Sequence, residues 1–303
     1  GNDTVIGTDG GNDTIFGGAG DDEVVAGVGN DTIYGEAGND TLRGGTGGTD
    51  TIDGGSGDDF IAFSEGGTDI VEGGSGNDTI SAEDATAAVT IDLSSRGPQA
   101  GTLRGSDGDN LIDDGDFGTA GSNDTLFARG GNDTLIAWGG DDTLIAWGGD
   151  ESLDGNGGFN TLAGGEGNDT IEGVSDVDWR DFASYQFAGG AVTVTLPDHN
   201  GVSSGADGVD TLINIEGVIG SEFGDTINGD SLANELRGLG GDDTIFGNLG
   251  DDTILGGDGV DTLFGDDSAD VISSADTLMG GADTDYLFGG LGADPLFGDG
   301  GAD

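Results

Sequence analysis

Carboxylates at a fixed interval are the chemistry this chain offers. Aspartate, with asparagine or glutamate at a few places, stands two residues ahead of Leu, Ile or Val, mostly every nine residues. The first run holds Asp13, Asp22, Asp31 and Asp40, and the middle run holds Asp124, Asp133, Asp142, Glu151, Asn160 and Asp169. The last runs are Asp225, Asn234, Asp243, Asp252, Asp261 and Asp270, then Asp276, Asp285, Asp294 and the terminal Asp303, the one member with no aliphatic residue two places later. An isolated carboxylate pair would suggest acid–base work. A lattice of carboxylates suggests hard cations. Other chemistries are thinly supplied. Without cysteine there is no disulfide or thiolate site, and with His199 as the single histidine no His-Glu-x-x-His zinc site can be built. Gly201-Val202-Ser203-Ser204-Gly205 matches the nucleophile-elbow pattern, but its partner histidine should lie downstream and His199 lies upstream, so no catalysis is expected there.

The elements that would hold such a lattice follow from one repeat. In residues 164–172, Gly-Gly-Glu-Gly-Asn-Asp-Thr-Ile-Glu, three glycines open backbone conformations closed to other residues and predict a tight turn. Thr170, Ile171 and Glu172 alternate polar, apolar, polar, which predicts a short strand with one side chain inward. A second repeat returns the chain, so two repeats make one coil of about 18 residues, and successive coils stack about 4.8 Å apart as parallel strands. The expected fold is an all-β solenoid of two short-stranded sheets with Ile and Leu between them.

Composition agrees. The formal net charge is −55 on 303 residues, 69 residues are glycine, and lysine is absent; the basic residues are Arg43, Arg96, Arg104, Arg129, Arg180 and Arg237. Such charge with few apolar residues is typical of disorder, but a disordered tail does not keep an aliphatic residue in fixed phase. The polyanion argues against nucleic acid and anionic membrane surfaces as partners and favours cations. No apolar run approaches the roughly 20 residues that span a bilayer, so membrane insertion is not expected.

The lattice also creates a problem. One buried Leu or Ile contributes about 1.5–3 kcal/mol, less than the backbone entropy of the repeat that delivers it. Stacking places Asp13 over Asp31 and Asp124 over Asp142, and carboxylates about 5 Å apart repel unless a positive charge lies between them. Carboxylates and glycine-loop carbonyls suit calcium, whereas magnesium demands stricter geometry and zinc prefers His or Cys. Calcium is therefore expected between successive coils, on both edges.

Gly-Gly-x-Gly-x-Asp-x-aliphatic-x resembles the repeats-in-toxin (RTX) nonapeptide of haemolysin-type proteins, and the resemblance covers residues 1–81, 122–173 and 224–303. It implies a right-handed parallel β-roll in which the sixth-position aspartate of one turn, with backbone carbonyls of neighbouring turns, ligates Ca2+. Carried over position by position, the expected ligands are Asp13, Asp22, Asp31, Asp40, Asp59, Asp78, Asp124, Asp133, Asp142, Asp169, Asp243, Asp252, Asp261, Asp285 and Asp294. Asn160 and Asn234 lose the charge, Glu151 is longer, and steps of ten residues at Asp40 to Asp50 and Asp59 to Asp69 are expected to distort the turn. Pro295 removes a strand N–H. The resemblance further implies a bacterial, secreted or cell-surface protein, exported by type I secretion and folding on calcium outside the cell. Its expected role is non-catalytic and structural; the alternatives are a subunit of a surface layer, adhesin or matrix filament, and the C-terminal tail of a secreted protease, lipase or toxin. Gly1 and Asp303 both fall inside repeats, so the chain reads as part of a longer protein.

Residues 82–121 and 174–223 interrupt the array as two interludes between three roll blocks. Ala88-Val89-Thr90-Ile91-Asp92-Leu93 echoes Ala191-Val192-Thr193-Val194-Thr195-Leu196, and each predicts a longer strand. Each is followed by a 15-residue step, Asp109 to Asp124 and Asp210 to Asp225. The 18-residue spacing of Phe16 and Tyr34, and of Phe246 and Phe264, predicts outward aromatic ladders. Trp138 and Trp147 fall on opposite edges, and Trp147 lies 18 residues from Arg129, a cation–π spacing. These aromatics either cover the roll or form a stripe for a glycan or a second copy. Open strand edges at the roll ends would favour head-to-tail self-association.

Overall fold

In the computed structural model the described residues are 1–7, 10–62, 69–76, 78–81, 90–92, 101–104, 111–113, 123–174, 180–197, 200–266 and 274–303. All regular elements among them are β-strands, and no helix long and apolar enough to cross a membrane occurs among them. The chain divides into two compact units, Gly1–Gly158 and Phe159–Asp303; this boundary falls inside the middle repeat block.

In the first unit each repeat gives one strand, and consecutive strands go to different sheets. Thr14–Ala19, Thr32–Ala37, Thr51–Ser56 and Ile70–Ser75 pair in parallel. Glu23–Gly27, Thr41–Gly45, Phe60–Ala62 and Asp78–Ser81 form the alternate ladder, also parallel. The register places Thr14 against Thr32 and Thr32 against Thr51, so the longer steps are absorbed in the turns and the strands stay in phase. Within the turn after Thr41–Gly45, Gly47 and Gly48 take φ of 76° and 98°, which glycine accepts without strain. The core is one aliphatic per repeat: Ile33, Leu42, Ile52, Ile61, Leu126, Leu135, Leu144 and Leu153 are fully buried.

The second unit repeats this plan with one excursion. Phe182–Ser184, Gly217–Ile219, Glu235–Gly240, Thr253–Asp258 and Thr277–Ala282 stack in parallel. In the other sheet, Thr226–Asn228, Thr244–Phe246, Thr262–Phe264 and Tyr286–Phe288 do the same. Between Thr170–Glu172 and Thr226–Asn228 the chain departs from the roll. Val192–Thr195 pairs antiparallel with Gly201–Gly205, which pairs antiparallel with Thr211–Ile213. The link between the first two of these strands is too short for a parallel crossover, which needs a dozen or more residues, so a hairpin is the available solution. At four residues Val192–Thr195 is no longer than the roll strands of three to six residues, so the expected longer strand does not form, and its pairing is partly antiparallel. In the first interlude, Thr90–Asp92 pairs in parallel with Leu111–Asp113; Ala88, Val89, Leu93 and Asp109 lie outside the described residues.

Candidate metal centre

Each site is built by a six-residue turn such as Gly17-Gly18-Ala19-Gly20-Asp21-Asp22. The second and fourth places are left-handed: Gly18 and Gly20 have φ of 108° and 119°. The second place tolerates other residues in this conformation, as Glu36 at 77° and Leu239 at 78° show. The first glycine answers a different need, because a Cβ on Gly17 would lie 2.8 Å from the Gly35 carbonyl and 2.9 Å from Asp22 Oδ2. On Gly35 it would lie 2.5 Å from Asp40 Oδ2, with the Gly54 carbonyl beside it. The missing side chain leaves a cradle bounded by a carboxylate oxygen of its own turn and a carbonyl of the next coil.

The aspartates form ladders. Asp22 Oδ1 accepts the backbone N–H of Asp3 at 2.7 Å, Asp40 that of Asp22 at 2.7 Å, Asp59 that of Asp40 at 2.7 Å, and Asp78 that of Asp59 at 2.9 Å. On the other edge Asp31 accepts from Asp13, and Asp50 accepts from Asp31, both at 2.8 Å. In the second unit Asp225, Asp243, Asp261, Asp285 and Asp303 form one ladder, and Asn234, Asp252, Asp276 and Asp294 another. Asp142 accepts from Asp124, Asp210 accepts from Asp169, and the pairing of Thr134 with Ser152 sets Asp133 over Glu151.

One carboxylate oxygen is thereby fixed and the other is left over. Oδ2 of Asp22, Asp31, Asp40, Asp59, Asp243, Asp252, Asp261 and Asp285 is buried without a hydrogen-bond donor. A buried, unsatisfied carboxylate oxygen is expensive. Burial first, then neighbouring carboxylates, push Asp59 and Asp261 up to about 6 and Asp243 and Asp252 up to about 8. Among the described residues no three acidic or histidine side chains converge on one point. A cation here would take most of its ligands from backbone carbonyls, and this oxygen-only, anionic donor set suits calcium.

All fifteen expected ligands lie in the described turns, and most are buried. Asp13 and Asp294 are only half-buried. The ten-residue steps leave the ladder intact, since Asp50 N donates to Asp69 Oδ1 at 2.8 Å. Asp50, Asp69, Asp225 and Asp276 therefore stand on the ladders although the ligand set omits them. Glu216 was missed as well: its Oε2 accepts the Asp181 N–H at 3.0 Å, and although Val218 follows two places later and Asp225 nine places later, no turn glycines precede it. Gly201–Gly205 is a hairpin strand rather than the strand–turn–helix of a nucleophile elbow, with Ser203 buried. His199 lies outside the described residues. Phe16 stacks on Tyr34 at 5.0 Å, and Phe246, Phe264 and Phe288 stack at 4.8 Å.

The sequence model described as RTX calcium-binding nonapeptide repeat (4 copies) matches residues 1–33, 8–42, 44–80, 63–85, 119–150, 148–179, 219–254, 246–275 and 273–303. No match was found among curated proteins. The matched segments take in more than half of the chain and carry the glycine cradles and aspartate ladders described above; the chain belongs to the RTX calcium-binding nonapeptide repeat proteins, haemolysin-type.

Proposed function

We propose that this chain is an extracellular structural segment that folds when calcium binds between its coils. The observation that carries this reading is the row of buried Oδ2 atoms without donors, from Asp22 to Asp59 and from Asp243 to Asp285. Calcium would be held by Asp13, Asp22, Asp31, Asp40, Asp59, Asp78, Asp124, Asp133, Asp142, Asp169, Asp243, Asp252, Asp261, Asp285 and Asp294, with glycine carbonyls of the adjacent coil. The bound ion neutralises the stacked carboxylates and ties coil to coil. With a net charge of −55, the metal-free chain repels itself and stays extended. Extracellular modules bind calcium at about 10⁻⁴–10⁻³ M, so a site of this kind fills outside a cell and empties inside it. The folded roll then serves as a stiff, non-catalytic spacer.

Calcium titration followed by far-ultraviolet circular dichroism tests this. The β-sheet signal should grow with calcium and collapse in excess chelator. A chain that keeps its full β signal in chelator does not need metal to fold.

A further inference from the structure

Not every turn leaves its carboxylate unsatisfied. In the turns whose second residue is left-handed at Gly18, Glu36, Gly55, Leu239, Asn248, Gly257 and Gly281, the aspartate that follows (Asp22, Asp40, Asp59, Asp243, Asp252, Asp261, Asp285) keeps a bare Oδ2. Between residues 174 and 234 the turns are built otherwise. Val174, Ser221 and Asp230 hold the second place without positive φ, and their N–H groups turn inward. Val174 N donates to Asp181 Oδ2 at 2.8 Å, Ser221 N to Asp225 Oδ2 at 2.6 Å, and Asp230 N to Asn234 Oδ1 at 2.8 Å.

Side chains complete the substitution. Ser221 Oγ donates to the Asp225 carboxylate, 2.8 Å from Oδ1 and 3.1 Å from Oδ2. Ser203, brought in by the hairpin, donates from Oγ to Asp210 Oδ2 at 2.6 Å, while Asp210 Oδ1 takes the Asp169 N–H at 3.0 Å. Asn234 Nδ2 donates to the Glu216 carbonyl at 3.2 Å, so a neutral N–H group occupies the coil that elsewhere presents a bare anionic oxygen. Each of these donors meets an oxygen a cation would need; Ser203, Ser221, Asp230 and Asn234 are buried and Val174 is half-buried.

The same stretch has its own cohesion. Tyr185, Val192, Val194, Leu196, Ile215 and Val218 are buried, a thicker core than one aliphatic per repeat. Two arginines flank the stretch. Arg237 pairs with Glu235 and lies 5.1 Å over the Phe182 ring, and Arg180 reaches Glu235 at 3.4 Å.

We infer that residues 181–234 form a calcium-free island in the roll, in which serine hydroxyls, inward backbone amides and one carboxamide take the place of the ion. The island stays folded when metal is withdrawn and presents a finished strand edge on which the calcium-dependent coils from 235 onward assemble, since solenoid folding propagates from a formed repeat. This rests on the calcium-driven folding proposed above for the remaining coils.

Hydrogen exchange on the whole chain, in calcium and in excess chelator, tests the island. In chelator, amides of Phe182–Ser184, Val192–Thr195, Gly217–Ile219 and Thr226–Asn228 should exchange at least about tenfold more slowly than those of Thr244–Phe246 and Thr262–Phe264. Ser221→Ala should remove that protection around 217–228 in chelator while leaving the calcium-loaded pattern of Thr244–Phe246 unchanged. If every strand exchanges freely in chelator, the island is wrong and calcium-driven folding stands. If every strand stays protected in chelator, calcium-driven folding itself is wrong and the island with it. Because the unaltered chain decides the question, a Ser221→Ala protein that fails to fold does not rescue the idea.

Discussion

The carboxylate and the glycine five residues before it act as a pair, and only the first was legible as a ligand from sequence. Glycine at the first place of the turn looks like another permissive hinge, yet no φ demands it; the demand is room beside Asp Oδ2 and the next coil's carbonyl. Spacing shows where a residue sits, not which atoms crowd it. Ala26, Ala128, Ala137 and Ala146 fill the same place in other turns and are buried there, so those coils carry a methyl group in the cradle. At Gly35, by contrast, an added Cβ would lie against the Gly54 carbonyl and 2.5 Å from Asp40 Oδ2, so Gly35→Ala should lower the thermal stability of the calcium-loaded protein by about 1–3 kcal/mol, the range for overpacking a filled site. Gly11→Ala, where an added Cβ meets nothing within 4 Å, should stay within about 0.5 kcal/mol. Equal melting temperatures for the two variants would show that the cradle is not tight. Asp252→Asn removes charge from an oxygen with no donor and should weaken calcium binding by about tenfold at that coil, since ligand charge tunes these sites over decades. Calorimetry that returns an unchanged calcium isotherm would place the ligands elsewhere.

At the level of strands and turns, the nine-residue phase made the strands readable one by one, because a fixed aliphatic position and a turn leave no other pairing that buries Ile and Leu together. What the phase could not convey was how a break in it is repaired. The steps of ten looked like damage to the site; the structure takes up the extra residue at Gly47 and Gly48, outside the strand and the ladder. The pairing of the interlude 174–223 was not legible, since its partners are set by long-range contacts that no local period records. Val192–Thr195 alternates as a strand should, but only the fold reveals that it turns back on Gly201–Gly205. The aromatic ladder was read correctly from Phe246 and Phe264, and it runs one rung further to Phe288 because Thr262–Phe264 pairs in register with Tyr286–Phe288. Phe264 is stacked on both sides, so Phe264→Ala should cost about 1–3 kcal/mol, the sum of two aromatic pair terms. Phe16→Ala, with a ring contact to Tyr34, should cost less. A scanning calorimetry series that ranked the two in reverse would count against face-to-face stacking as a source of cohesion.

Across the molecule, proton and calcium compete for the same oxygens. Without metal, burial and like-charged neighbours push Asp50, Asp59 and Asp261 up to about 6 and Asp243 and Asp252 up to about 8, above the ordinary value of 3.8. A carboxyl whose folded value is raised stabilises the fold most when protonated. That contribution is complete below the unfolded value near 3.8 and is lost as pH rises through 6 to 8. The metal-free roll should thus be most stable in mild acid, where protons relieve the stacked charge, and should unravel toward neutral pH as the net charge approaches −55. Calcium works in the opposite direction: it needs the deprotonated carboxylate, so its apparent affinity should climb through the same window. In chelator, β-sheet circular dichroism should therefore be stronger at about pH 5 than at about pH 8, and the calcium midpoint should fall as pH is raised between them. Both trends come from one set of oxygens, so they must appear together. A calcium midpoint that does not move with pH, in a protein whose metal-free form does respond to acid, would mean that the titrating carboxylates are not the ones that hold the ion.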